Sequence, residues 1–94
     1  MDTQQLRELK LYMHVDHDHD DVIIKRLWAA AWDYLEGGGI SPEDTTSLAW
    51  LAAAGLTLHW YDNPELVGTD VNISAGLRQI INQLKMKHGG DAYF

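Results

Sequence analysis

Hydrophobic positions recur at helical spacing in three stretches of this chain, and a fourth stretch is apolar with no dominant phase. Residues 2 to about 13 place Leu6, Leu9 and Met13 on one stripe, with Arg7, Glu8 and Lys10 away from its centre. Asp2 or Thr3 can cap this helix, and Gln5 follows Asp2 at the spacing of a capping box. So short a helix must lean on packing. A second helix runs from about Asp20 to Glu36. Ile24, Leu27, Trp28, Ala31 and Leu35 form its stripe, about 100° wide, opposite Lys25, Arg26, Asp33 and Glu36. Ile23 and Tyr34 flank one edge of the stripe and Trp32 the other. Gly37-Gly38-Gly39 then supplies a helix stop and a turn. The last helix starts near Asn72 or Ser74 and runs to about Met86, with Ile73, Leu77, Ile80, Ile81 and Leu84 as its stripe. Lys85 and Lys87 sit at its negative end, Gly89-Gly90 stops it, and a flexible tail is expected from about residue 88.

The remaining stretch, Ser41 to Pro64, organises the rest. It carries no formal charge from Thr45 to Tyr61. Ser41 can cap it, Pro42 suits the first helical position, and Glu43 and Asp44 suit the dipole. Leu48, Leu51, Ala52, Gly55, Leu56 and His59 share one side, expected to be the core stripe. Trp50, Ala53, Ala54, Thr57 and Tyr61 occupy the other, so no strongly polar face exists. A helix apolar nearly all round must be covered nearly all round, and the expectation is that neighbouring subunits complete the cover. Asp62 to Val71 then has turn chemistry and no sustained period, a loop longer than the usual connection. No segment alternates with period two. The fold class is therefore all-α: one domain over residues 1–94, a small bundle of about four helices with a long loop before the last.

Composition narrows the function classes. Ninety-four residues make one small domain, and the absence of cysteine removes disulfides and thiolate metal sites. A formal net charge of −7 is wrong for gripping nucleic acid. The N-terminus has an early acid and no apolar run, so no secretory signal is expected, and the uncharged run falls short of the roughly 20 residues that span a bilayer. The run from His14 to Asp21 offers His17, His19 and Asp18 as candidate ligands for zinc or nickel. Alternating positions would put them on opposite sides of an extended chain, and the reading adopted is a solvated cap, from Asp18 or Asp20, at the start of the second helix. His59 is read as a core histidine bonded to a carbonyl or carboxylate. The glycine triplet lacks the Lys-Ser/Thr of a phosphate loop and follows a helix instead of a strand.

Four features together resemble the small head–tail connector (head-completion, or adaptor) proteins of long-tailed bacteriophages. They are Leu6-Arg7-Glu8-Leu9-Lys10 followed by Val15-Asp16; the lead Asp18 to Asp21 into a helix with alanines and Tyr34-Leu35-Glu36; an Ala/Leu-rich helix ending in His59-Trp60-Tyr61-Asp62-Asn63; and a short final helix, Ile73 to Leu84. Their order covers almost the whole chain. Pro64 and Glu65 stand where the family usually has a basic residue, and Asn72-Ile73-Ser74 where a proline often opens the last helix.

The resemblance implies a structural protein with no catalytic residues and no cofactor. It implies a ring of about a dozen copies beneath the portal protein that extends the channel for double-stranded DNA. The DNA passes without sequence-specific binding, and net negative charge suits such a wall. A downstream head-completion or tail protein is the further partner, no membrane is involved, and the location is the virion neck, with the host cytoplasm during assembly. Trp32, Tyr34, Trp50 and Tyr61 exceed what one small core needs and are the candidate ring-interface residues. Asn63, Glu65, Arg78 and Lys85 are candidate contacts to the portal or another partner. Two other classes compete: a small helical DNA-binding or regulatory protein, for which Arg78, Gln79, Asn82 and Gln83 come nearest to a recognition face, and a metal-dependent hydrolase using the His/Asp run.

Overall fold

The computed structural model describes residues 1–89. Four α-helices and a 3₁₀ turn follow one another: α1 (Thr3–Met13), α2 (Asp21–Gly37), α3 (Ser47–Asp62), the 3₁₀ turn (Pro64–Leu66) and α4 (Ala75–Lys87). No strand occurs among the described residues. α1 opens with the expected capping box, because Asp2 accepts from the Gln5 backbone N–H at 2.8 Å and Gln5 Oε1 accepts from the Asp2 N–H at 3.3 Å. α4 is capped by Ser74 Oγ, which accepts from the Leu77 N–H. α2 ends at the glycine triplet, where Gly39 takes φ +93°, a conformation costly for any residue with a Cβ. Ile40, fully buried directly after that turn, returns its N–H to the Leu35 carbonyl at 3.0 Å.

α3 is the axis. α2, α4, α1 and the 3₁₀ turn all pack against it. Leu27, Ala31, Leu35 and Ile40 join Ala49, Ala52, Ala53, Leu56 and Trp60, with Ile73, Ile81 and Leu84, in one buried cluster. Leu6, Leu9 and Met13 of α1 meet Ile24 and Ala54 in a second. The chain thus supplies most of the cover that α3 needs, including that of Ala53, Ala54 and Thr57, on the face that neighbouring subunits were expected to complete.

Three expectations for α3 and its surroundings are corrected. The helix begins at Ser47, six residues after Ser41, with Thr46 Oγ1 accepting from the Ala49 N–H as the cap. Ser41 to Asp44 forms a turn instead, closed by Asp44 N–H to Ser41 O at 3.2 Å. The face assignment also changes. Leu48 and Leu51 are 41% and 36% exposed, whereas Ala53, Ala54 and Thr57 from the supposed outer face are fully buried. Alanine lets the neighbouring helix backbones come close, and Thr57 satisfies its hydroxyl on the Ala53 carbonyl at 2.7 Å. Finally, Asp20 occupies the cap position of α2 without capping it. Its carboxylate accepts the Tyr61 hydroxyl instead, tying the start of α2 to the end of α3.

Of the tail expected from about residue 88, only His88 and Gly89 lie among the described residues. His88 packs against Asp44, and residues 90–94 lie outside the described residues.

Candidate functional site

The block His59 to Asn63 fastens the loop that follows it. His59 Nε2 lies 2.7 Å from the Val71 carbonyl, Trp60 Nε1 donates to the Thr69 carbonyl at 2.9 Å, and Asn63 Nδ2 donates to the His59 carbonyl at 2.9 Å. Thr69 in turn donates its hydroxyl to the Leu66 carbonyl. Each polar side chain in the block except Asp62 therefore satisfies a partner within the fold. His59 finds a carbonyl, as read from the sequence, but it is half-buried at the edge of a groove and is not a core residue.

The four candidate interface aromatics also point inward. Trp50 stands between Tyr12, edge-on at 5.8 Å, and Trp28, at 5.9 Å. Trp32 meets Trp28 edge-on at 6.1 Å, and Tyr34 meets the buried Trp60 edge-on at 5.9 Å. Such geometry is favourable for aromatic quadrupoles. Burial, and then the nearby Asp70 carboxylate, push the Tyr34 phenol pKa up. The hydrogen bond to Asp20 does the same for Tyr61. All four take part in the packing of one protomer and remain half-buried.

Of the candidate partner contacts, Asn63 is spent on the His59 carbonyl. Arg78 donates to Asp70 Oδ2 and to the Asp70 carbonyl, each at 3.2 Å, so the nearest approach to a DNA-recognition face has its cation engaged. Lys85 lies over the end of α2, its Cε 3.1 Å from where a Gly38 Cβ would stand. Glu65 is exposed on the 3₁₀ turn.

The His/Asp run does not converge. Asp18 binds Lys10 at 2.7 Å, and Lys10 also meets Asp21 at 2.8 Å. Those bonds lower the Asp18 pKa and raise that of Lys10. His17 Nδ1 accepts from the His19 backbone N–H at 3.2 Å. Among the described residues no three His, Asp or Glu side chains are placed to hold a metal ion. No described helix is long and apolar enough to cross a membrane.

Sequence reasoning missed a carboxylate. Asp44 has a side chain only 2% exposed and accepts four hydrogen bonds: from the Thr46 hydroxyl (2.7 Å) and N–H (2.9 Å), Lys87 Nζ (3.0 Å) and His88 Nε2 (2.7 Å). Those of Thr46 lead, then His88 and Lys87, in holding its pKa well below the usual carboxylate range. The clasp pins the connection before α3 to the end of α4. Only the Asp44-x-Thr46 turn was visible locally.

What remains open is one side of α3. Leu51, Gly55 and Leu58 form the floor of a groove of about 350 Å³ whose walls include Tyr12 of α1 and Leu77 and Ile80 of α4. His59 and Asp62 close one end. A second hollow shares Leu51 and is bordered by Glu8, Ser47 and Trp50. Gly55 is the close point of the floor, since a Cβ there would lie 2.9 Å from a Leu77 methyl. Searches against protein-family models, curated proteins and solved structures give no match to this chain.

Proposed function

We propose that this chain is a structural assembly protein, the head–tail connector of a long-tailed bacteriophage. In this reading it forms a ring of about a dozen copies beneath the portal, extends the DNA channel and links the capsid to the tail, in the virion neck. The observation that carries the reading is the open side of α3. The chain covers that helix with three others and half-buries its surplus aromatics. It still leaves a strip of Leu48, Leu51, Leu58, Leu77 and Ile80 exposed or half-exposed. A contiguous apolar strip on a small domain marks a surface meant to be covered. The family-like block at His59 to Asn63 supports the same reading, because it acts as architecture: it sets the loop and the groove's end wall, with no reactive group freed for chemistry.

Negative-stain microscopy and native mass spectrometry of the protein, alone and mixed with portal, test this. Closed rings, or a monomer that rings only on portal, are the expected result. A stable dimer that retards duplex DNA would sink the connector reading in favour of a regulator.

A further inference from the structure

We propose that the α3 groove receives the outer face of the first two turns of α2 from a second copy of this chain, giving a head-to-tail contact. The pairing deepens the ring proposed above and rests on it. Charge selects the occupant. The groove and the adjoining hollow are lined by two carboxylates, Asp62 and Glu8, and by no lysine or arginine. The partner surface should therefore be apolar with cations beside it.

The described residues offer one good match. Lys10, Arg78 and Lys87 are paired with carboxylates of their own chain, and Lys85 lies over Gly38. Arg7 is exposed beside Leu11 and forms no ion pair among the described residues, but it shares its hollow with the carboxylates of Asp16, Asp18 and Asp21, which make that surface a poor match for an acidic groove. Lys25 and Arg26 are adjacent, exposed and form no ion pair among the described residues. They stand beside Val22, which is 77% exposed, and Ala29. At about 100° per residue, Val22, Arg26 and Ala29 share one stripe, opposite the buried Ile24, Ala31 and Leu35.

The two surfaces also lie on opposite sides of the protomer. On α3, Leu51, Leu58 and Asp62 project away from Trp60, which meets Tyr34 of α2. A patch and its complement on opposite sides make a heterologous contact. Such a contact repeats from copy to copy and closes into a ring when the rotation permits. A self-complementary patch would stop at a dimer.

The chain has no cysteine, so cross-linking can be read cleanly. Ala29→Cys and Leu51→Cys chains keep every charge of the proposed contact. Mixed under mild oxidation, they should form the mixed disulfide about tenfold faster than a control mixture of Ala29→Cys with Asn82→Cys, on the outer side of α4. Adding Arg26→Glu to the first chain should remove that advantage, and Asp62→Arg on the second should restore it. Like-with-like dimers in excess, or no advantage over the control, overturn the pairing. Rings seen by microscopy despite that result would leave the connector reading standing with a different interface. Selective cross-linking without rings on portal would do the reverse.

Discussion

Trp50→Ala separates packing from assembly. Trp50 lies half-buried between Tyr12 and Trp28, so one side chain joins α1, α2 and α3. Deleting a fully buried Trp costs about 3–5 kcal/mol, and partial exposure lowers that burial term. The two aromatic contacts each add about 0.5–1.5 kcal/mol beyond area. The net expectation is about 3 kcal/mol. For a domain of this size that lowers Tm by roughly 12–24 °C. Thermal unfolding followed by far-ultraviolet circular dichroism reads the shift, and a urea titration gives the free energy directly. Leu51→Asp is the matched control, one residue along and already 36% exposed. It should cost less than Trp50→Ala, about 1 kcal/mol from helix propensity and partial burial, and should abolish self-association. If Trp50→Ala melts within a few degrees of the parent and loses assembly, the internal-packing account fails and Trp50 belongs to the interface.

Asp44→Asn should lower Tm at neutral pH by weakening the clasp with Lys87 and His88. The Asp44 carboxyl is depressed in the fold, so its contribution is full above the unfolded value of about 4 and fades as the pH falls through the folded one. The gap between parent and variant in melting scans should thus narrow as the pH falls below about 4. A gap independent of pH would show that the carboxylate charge is idle. Trp60→Phe keeps the buried ring but strips the donor from the Thr69 carbonyl, which should cost about 1–3 kcal/mol. Hydrogen exchange should speed up in residues 63–72 more than in α1; uniform acceleration would mean that the bond does not hold the loop. Gly39→Ala, at φ +93°, should destabilise by about 1–2 kcal/mol. Gly37→Ala, where a Cβ meets nothing within 4 Å and the backbone is helical, should stabilise by up to about 1 kcal/mol. Denaturant titrations giving both the same sign would refute the distinction.

The helices with a polar side were legible, and the one without was not. In α1 and α2, charged residues mark the solvent face and so fix the phase: Leu6, Leu9, Met13, Ile24, Leu27, Ala31 and Leu35 are all buried as expected. α3 offers no such mark. Its leucines suggested a core stripe because they are large, yet close helix approach selects the small residues Ala49, Ala52, Ala53 and Ala54, each 0% exposed. Its start misled for a different reason. Ser41-Pro42-Glu43-Asp44 has the chemistry of a helix opening, but Asp44 is captured by Lys87 and His88, more than forty residues away in sequence. Local propensity cannot register a partner at that distance.

The same correction moves the proposed assembly surface. The sequence argument for an interface rested on surplus aromatics, and Trp32, Tyr34, Trp50 and Tyr61 each make contacts within the protomer while staying half-buried. Part of the surface of each thus already serves the fold, and only the remainder is open to a neighbour. The more open side is the one bearing Leu48 and Leu51, and it is bounded at one end by the block that carries the family resemblance. Asp62, alone in that block in making no side-chain hydrogen bond among the described residues, faces that groove. A residue type that the fold does not use is the one available to a partner. Assembly is therefore expected to depend on the leucine strip and on Asp62, while the aromatics determine whether there is a stable protomer to assemble.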